Sequence, residues 1–204
     1  MKPLLVIACG AIAHELVAVL RHNQWQHMDI QCLPAEWHNT PDKITPAVQR
    51  KIHENRAHYE HMLVAYGDCG TGGQLDGLLR KEGIERLPGN HCYDFFAGCD
   101  TFATLAEKEL GTFYLTDYLA RHFQRLILDG LGISKHPELR DMYFGHYKSL
   151  VYLAQTENPK LVKLARDAAD ALGLEYEYVY TGLSPFTSAL RGIPVVEAGK
   201  SSTP

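Results

Sequence analysis

The sequence lacks the features that mark membrane, secreted and nucleic-acid-binding proteins. Its apolar runs fall short of the roughly 18 residues that a membrane-spanning helix needs. It has 20 Lys and Arg against 24 Asp and Glu, so no excess of positive charge is available for nucleic acid or an anionic membrane. The apolar start is interrupted by His14 and Glu15 and does not resemble a signal peptide. These absences predict a cytoplasmic protein with neither a nucleic-acid nor a membrane partner.

The five cysteines contain no CxxC pair. This absence excludes a local zinc ribbon and a thioredoxin-like motif. An odd number of cysteines in a reducing compartment argues against a disulfide framework, which leaves structural thiols, metal ligands or a nucleophile. Any metal site would therefore have to be assembled from cysteines that lie far apart in the sequence.

What is present is the composition of an ordinary globular chain. Of the 204 residues, 46% are hydrophobic and 22% are charged, which argues against disorder. This length predicts a single domain over residues 1–197, followed by a flexible polar tail over residues 198–204. Short apolar runs alternate with segments of helical period, so we expect an α/β fold of stacked βα units around a mainly parallel central sheet.

The positions of the strands and of the helices follow from these periods. The segment 136–159 has a helical period, and its Tyr143, Phe144, Tyr147 and Tyr152 form a packing stripe that could also supply an interface for a homo-oligomer. A helix is predicted over residues 159–172, where Gly173 ends it. Strands are predicted at 4–8, 29–33, 62–66, 84–87, 112–115, 174–182 and 193–196.

The stretch HMLVAYGDCGTGG, residues 61–73, carries the clearest local signal. A short buried strand ends in a glycine-rich turn that presents Cys69. Gly67, Gly70 and Gly72 lack a Cβ, so the backbone of this turn can approach a ligand closely. These three glycines are therefore candidates for cofactor binding.

Two other cysteines occupy the same structural position as Cys69. Cys9 follows the first predicted strand and Cys92 follows the strand at 84–87, each where a helix begins. The carboxyl ends of parallel strands meet at one edge of a sheet, and ligands bind at that edge. We therefore predict a metal site made of Cys9, Cys69 and Cys92, and we interpret Cys32 and Cys99 as structural thiols.

Three cysteines can hold a metal and leave one position open. They could bind zinc with a fourth position for water or substrate, or a 4Fe-4S cluster whose fourth iron binds substrate; the sequence does not separate the two. Glu15, Asp68, His91 and Thr112 are candidates for general acid or base chemistry or for completing the site. The expected activity is metal-dependent chemistry on a small polar molecule, of the lyase or transferase class.

Two alternatives use some of the same residues. In a metal-free enzyme, Cys69 would be the nucleophile at the amino end of a helix, with His91 as its base. The other alternative is a non-enzymatic carrier of a metal or cofactor, which would have an exposed, exchangeable site.

The cysteine motifs also occur in a recognisable order. They are ACGAIAHE around Cys9, YGDCGTG around Cys69 and HCYDFFAG around Cys92, and GTFYLTD follows them. In this order they resemble a family of bacterial and archaeal proteins catalogued as domain of unknown function 1638, over about residues 4–197. The resemblance implies a cytosolic α/β protein with cysteine ligands, linked to corrinoid and methyl-transfer proteins of one-carbon metabolism. The chain departs from the family pattern at His91, where an acidic residue usually precedes the third cysteine.

Overall fold

A computed structural model describes residues 2–198 of the chain. Within these residues it is built from parallel strands and intervening helices. The strands are β1 (Lys2–Cys9), β2 (Met28–Leu33), β3 (Tyr59–Ala65), β4 (Glu85–Arg86), β5 (Thr112–Leu115), β6 (Ser149–Ala154) and β7 (Glu175–Tyr180). The helices are α1 (Ala13–His22), α2 (Ile44–Asn55), α3 (Gln74–Glu82), α4 (Cys92–Ala97), α5 (Cys99–Lys108), α6 (Asp117–Phe123), α7 (Leu139–Phe144), α8 (Pro159–Leu172), α9 (Ser184–Arg191) and α10 (Pro194–Ala198). Shorter turns of 3-10 helix are Gly10–Ile12, Ala35–Asn39 and Pro41–Lys43, and Gln124–Asp129 is π-helical.

The strands belong to two sheets in two compact units. The first unit comprises the described residues up to Phe95 together with those from Ser184 onward, and its sheet has the order β2-β1-β3-β4. The second unit is Phe96–Leu183, with the sheet order β5-β6-β7. Every neighbouring pair is parallel. The predicted α/β fold of βα units with parallel strands is confirmed, although two sheets take the place of one.

The sequence predicts one domain over residues 1–197 and a tail over residues 198–204. The single domain over residues 1–197 stays a prediction, and the predicted tail lies, apart from Ala198, outside the described residues. None of the helices in the described part of the chain is long and apolar enough to cross a membrane.

The core of the first unit is formed by its two central strands. Residues 4–8 of β1 and 63–65 of β3 are fully buried. Parallel strands that are buried on both faces have continuous apolar sequences, so both of these strands could be predicted from the sequence. Helix α3 adds Leu75, Leu78 and Leu79 to this core and ends at Gly83, whose φ of 66° is left-handed.

The second unit is organised around β6, whose residues 150–154 are all buried. Helix α8 contributes Leu161, Ala165 and Ala169 to the core around this strand. The side chain of Asn158 accepts a hydrogen bond from Lys160 N at the start of α8, and Gly173 ends the helix with a φ of 71°. Both ends of this helix agree with the prediction, because each carries its own local signal.

The prediction of a helical segment over residues 136–159 is wrong in its second half. Helix α7 ends at Phe144, and Ser149–Ala154 forms β6. The error has a physical cause, since a short continuous apolar run suits a buried strand as well as a buried helix. The packing stripe is accordingly divided: the Phe144 and Tyr147 rings lie 5.5 Å apart, whereas Tyr152 packs on Tyr178 of the neighbouring strand at 5.8 Å.

The predicted strand at residues 193–196 is also wrong. This segment begins α10, whose first residue is Pro194. Proline is favoured at the first position of a helix, because its missing N–H would have no partner there and its φ is already helical. Helix α2 begins at Ile44 and ends at Asn55, and β3 follows from Tyr59.

The position of β6 can be tested with a matched pair of leucine substitutions. Leu153 is fully buried in β6, so Leu153→Ala should lower the free energy of unfolding by about 2 to 5 kcal/mol, through lost burial and the cavity left behind. Leu110 is 91% exposed, and Leu110→Ala should change the stability by less than about 0.5 kcal/mol. Urea unfolding followed by circular dichroism measures both. Equal stability of the two variants would contradict the assignment of β6.

Candidate functional site

The order of the strands creates a crevice at the carboxyl edge of the first sheet. The chain leaves β1 towards β2 on one side, whereas it leaves β3 towards β4 on the other side. Connections that depart in opposite directions leave an opening between the two strand ends, and this is where open α/β sheets bind ligands. Cys9 is the last residue of β1, and Cys69 lies four residues beyond the end of β3 at Ala65. Two of the three predicted ligands therefore flank this crevice.

Cys9 is held at the end of β1 by its surroundings. The residue is 3% exposed, and its sulfur accepts a hydrogen bond from Ala11 N at 3.3 Å. The Nδ1 atom of His38 lies 3.7 Å from the same sulfur. Ala8 of β1 pairs with Ala65 of β3, so the residues that follow them, Cys9 and Tyr66, lie next to each other at the edge of the sheet.

The loop that carries Cys69 is shaped by the carboxylate of Asp68. This carboxylate accepts hydrogen bonds from the Thr71 hydroxyl at 2.8 Å and from the backbone N–H groups of Gly73 at 2.8 Å and Gly72 at 3.2 Å. Cys69 itself has a φ of 48°, which is uncommon for a residue with a side chain. The loop therefore holds the thiol in a backbone conformation that few residues adopt, and the Asp68 carboxylate supports it.

A close contact between two backbones brings the third cysteine to the same crevice. A Cβ on Gly67 would lie 2.6 Å from the carbonyl oxygen of Asn90, so only glycine allows this approach. Cys69 N donates to the same carbonyl oxygen at 3.3 Å. Asp94 fixes the turn from the other side, since its Oδ2 accepts from Asn90 N at 2.8 Å and from the next backbone N–H at 2.9 Å. Cys92 begins α4 directly after this turn.

The three thiols lie within electrostatic reach of one another. Burial raises the pKa of Cys9 to about 12, and the nearby Cys69 adds to the shift. Burial also raises the pKa of Cys69 to about 11, although the Gly67 N–H and the Arg86 cation oppose it. Although Cys92 is partly exposed as a residue, desolvation raises its pKa well above the usual value, and Cys69 and Cys9 add to the shift. All three are thus protonated at neutral pH in the absence of a metal.

The three thiols are close together, but their sulfur atoms are not arranged around a common metal position. Among residues 2–198, no three His, Cys, Asp or Glu side chains stand at the mutual distances of metal ligands. Ligation by all three sulfurs would therefore need side chains to turn toward a common point.

A buried tyrosine borders the cysteines that the sequence predicted. Tyr66 is 1% exposed, and burial raises the pKa of its hydroxyl, with further contributions from Cys9 and Cys69. Apart from its interaction with the Cys9 thiol, the hydroxyl has no hydrogen-bond partner among the described residues. Nothing in the sequence indicates that Tyr66 borders the thiols, because Tyr66 reads simply as the last residue of an apolar strand.

A histidine also borders the crevice. His38 follows β2 in the 3-10 turn Ala35–Asn39, and its Nδ1 lies 3.1 Å from Ala35 O. The residue is exposed, yet enough protein surrounds the ring that desolvation lowers its pKa, and His91 adds to the shift. The ring is therefore partly surrounded by protein but still reachable by solvent. No local motif in the sequence marks His38 as a site residue.

Arg86 fixes the segment that leads to Cys92. Its side chain pairs with the carboxylate of Asp76, and its Nη1 donates to Leu87 O at 2.9 Å and to Gly89 O at 2.7 Å. These bonds shape the turn that continues to Asn90. The same cation lowers the pKa of Cys69, against the larger effect of burial.

The comparisons with known proteins identify the family. The sequence model of the family described as "Protein of unknown function (DUF1638)" matches residues 32–190, which is well over half of the chain. The chain belongs to the DUF1638 family. The match includes Cys69 and Cys92 but begins after Cys9, so the first of the four motifs lies outside it. No curated protein and no solved structure matches the chain.

In this DUF1638 protein, the other predicted catalytic residues have different surroundings. The carboxylate of Asp68 is engaged by its loop, and the Gly73 and Thr71 hydrogen bonds lower its pKa. Glu15 is buried in α1, with Oε1 3.9 Å from His14 Nδ1. His91 is exposed, and its ring lies 6.1 Å from that of Tyr93.

Thr112, the fourth predicted catalytic residue, belongs to the second unit. It begins β5 and therefore lies at the amino end of that strand, opposite to the carboxyl end that was expected. Its hydroxyl donates to Glu109 O at 2.7 Å and shares a hydrogen bond with Ser149 Oγ at 3.0 Å. These bonds give Thr112 a local structural role.

The predicted cofactor-binding glycines have local roles in the loop. Gly67 is needed for the contact with Asn90, and a Cβ on Gly70 would be 3.4 Å from the side chain of Pro41. Gly72 has open space around its Cα, but its N–H is bonded to Asp68. Binding of a cofactor by these glycines stays a prediction.

The two cysteines interpreted as structural are both exposed. Neither Cys32 nor Cys99 therefore contributes to a core, which corrects that interpretation. Cys32 pairs with Ala8 across β1 and β2, and it adds to the raised pKa of Cys9. It lies beside the crevice, on the strand next to the predicted site.

The first unit also has a groove at the opposite end of its sheet. This cavity of about 470 Å³ is lined by the amino ends of β3 and β4 and by Pro194. Two of its charged side chains form an ion pair, since Arg56 pairs with Glu82, which also bonds to His53 at 2.9 Å. The groove is thus far from the strand ends that carry the cysteines, and we assign it no role in the chemistry.

The reactivity of the thiols tests their surroundings. In metal-free protein at pH 8, Cys69 should react with iodoacetamide roughly 100-fold more slowly than an ordinary exposed thiol, because its raised pKa leaves little thiolate. The exposed Cys99 is the internal control. Peptide mass spectrometry over a time course gives both rates. Modification of Cys69 ahead of Cys99 would contradict the shift and favour a nucleophilic cysteine.

Proposed function

We propose that this protein binds a metal ion or iron-sulfur cluster through the thiolates of Cys9, Cys69 and Cys92, and uses it to act on a small polar molecule. The convergence of three thiols, from three separate βα junctions, on the crevice between β1 and β3 carries this proposal. Zinc and a 4Fe-4S cluster would use the same three residues. Zinc would supply a Lewis acid with an open position, and a cluster would offer an iron for the substrate.

The raised pKa values of the thiols favour a metal over a nucleophile. A metal ion replaces the protons of its cysteine ligands and stabilises the thiolates in surroundings that otherwise disfavour negative charge. A nucleophile needs a thiolate without such help, and burial opposes it at Cys69. Helix α3 begins only at Gln74, with Gly73 as its N-cap, so the helix dipole does not act directly on Cys69. The metal-free enzyme is therefore the less well supported alternative.

The residues around the thiols suit a reactive centre. The Tyr66 hydroxyl can donate a hydrogen bond to a thiolate once the sulfurs are ionised. His91 is exposed next to Cys92 and can carry a proton to or from a bound substrate. These features fit the predicted lyase or transferase class. A carrier would need an exposed, exchangeable site, which fits less well with Cys9 at 3% exposure.

The expected cellular setting remains part of the proposal. A cytoplasmic location agrees with the five free cysteines, because thiol ligands must stay reduced. A corrinoid or methyltransferase partner and a homo-oligomer stay predictions from the sequence, and no contact with another chain bears on them.

Metal content tests the proposal directly. Protein purified without oxygen should contain either about one zinc per chain and no colour, or iron with acid-labile sulfide and broad visible absorption. Cys9→Ala, Cys69→Ala and Cys92→Ala should each lose most of the metal, whereas Cys99→Ala should retain it because that thiol is exposed and in the second unit. Elemental analysis and the visible spectrum are the measurements. Wild-type protein without metal, even after reconstitution with zinc and with iron and sulfide, would refute the proposal.

The Tyr66 hydroxyl provides a finer test. Tyr66→Phe removes one oxygen and keeps the packing, so the stoichiometry of bound metal should be unchanged. The affinity should fall about 10-fold or more, as it does when a partner of a metal ligand is removed. Tyr114→Phe, at a buried tyrosine of the second unit, is the control. Competition with a chromophoric chelator measures the affinity, and equal values for wild type and Tyr66→Phe would exclude this role.

A further inference from the structure

His38 lies beside the thiol of Cys9. Its Nδ1 is 3.7 Å from the sulfur of Cys9, and His91 lies close enough to add to the lowering of the pKa of His38. The short turn Ala35–Asn39 places it there, directly after β2. Since β2 pairs with β1 on the side away from β3, His38 approaches the crevice from a different strand end than Cys69.

The separation of the two atoms is that of neighbouring ligands on one ion. A tetrahedral zinc with bonds of about 2.3 Å to sulfur and about 2.0 to 2.1 Å to nitrogen keeps the two ligand atoms roughly 3.5 Å apart. The observed 3.7 Å agrees with this value without any movement of the backbone. A hydrogen bond from nitrogen to sulfur would also allow this distance, so the chemistry of the remaining groups has to decide.

The nearby carboxylates have other partners. Asp68 accepts hydrogen bonds from its own loop, and Asp94 accepts two from the turn before α4. Each would have to give up backbone contacts that hold Cys69 or Cys92 in place. His38 has one competing contact, between Nδ1 and Ala35 O. Exchanging that contact for a metal bond leaves the loops of Cys69 and Cys92 as they are.

We propose that His38, through Nδ1, is the fourth protein ligand of a single metal ion held by Cys9, Cys69 and Cys92. In the metal-free protein the ring proton is on Nδ1, and this N–H donates a hydrogen bond to Ala35 O. Ligation requires the other neutral form of the ring, in which the proton is on Nε2 and the Nδ1 lone pair binds the metal. The three thiols release their protons to solvent in the same reaction.

This assignment rests on the proposed function and narrows it. A nitrogen beside a sulfur on one ion favours zinc over a cluster. The His38 residue is exposed, so a substrate that binds the metal can displace the imidazole while the three thiolates stay. His38 would thereby keep the fourth position closed until a substrate arrives.

Cobalt provides the test, since it replaces zinc and reports its ligands in the visible spectrum. Reduced metal-free protein is titrated with Co²⁺ as wild type, His38→Ala and His53→Ala. His53 is a matched control, an exposed histidine of the same unit that is bonded to Glu82. Absorption from sulfur to cobalt in the near ultraviolet counts the thiolates, and the weaker visible bands report the fourth ligand. Imidazole is then added to each sample.

Loss of the nitrogen ligand should change the visible bands but keep the three-thiolate absorption. For His38→Ala we expect this result, a Co²⁺ affinity lower by roughly tenfold or more, and recovery of the wild-type bands with imidazole. His53→Ala should behave as wild type. Unchanged bands and affinity in His38→Ala, a lack of response to imidazole, or an iron-sulfur cluster in the purified wild type would overturn the assignment and leave the three-thiolate site standing. Absence of sulfur-to-cobalt absorption in the wild type, together with no cluster, would refute the proposed function itself.

Discussion

The pairing of β1 with β3 is the constraint on which the candidate site depends. Its register sets Ala8 opposite Ala65, so Cys9 and Tyr66 emerge next to each other at the carboxyl edge. Because the chain continues from these two strands in opposite directions, neither connection covers the strand ends. The third junction reaches the same place through the missing Cβ of Gly67, where the Asn90 backbone comes too close for any other residue.

Desolvation of the three thiols determines their protonation state. Three sulfurs that share this crevice resist ionisation, because burial raises the pKa of each thiol and a neighbouring thiolate raises it further. Arg86 offers positive charge, but most of its N–H donors already bond to Asp76 and to two carbonyl oxygens. The cluster is therefore stable either as neutral thiols or as thiolates around a cation. This choice is the physical basis for proposing a metal.

The second unit uses its own carboxyl edge for a different purpose. Asp117 is fully buried at the start of α6, and its carboxylate accepts hydrogen bonds from Tyr152 Oη at 2.6 Å and Gln155 N at 3.0 Å, as well as from the hydroxyl of Thr156. Its own N–H donates to the side chain of Gln155 at 2.8 Å. These bonds tie the ends of β5 and β6 together. A buried carboxylate with so many donors stabilises the fold and needs no ligand.

The sequence by itself determined what depends on neighbouring residues: the alternation of strands and helices, the bounds of α8 between Asn158 and Gly173, and the position of Cys69 in its turn. It left open whatever depends on long-range pairing. Residues 149–154 suit a buried helix as well as a strand, and only pairing with β5 and β7 makes them β6. Cys9 and His38 are 29 residues apart in sequence, and their proximity likewise arises from the pairing of β2 with β1, because no local pattern encodes which strand ends meet.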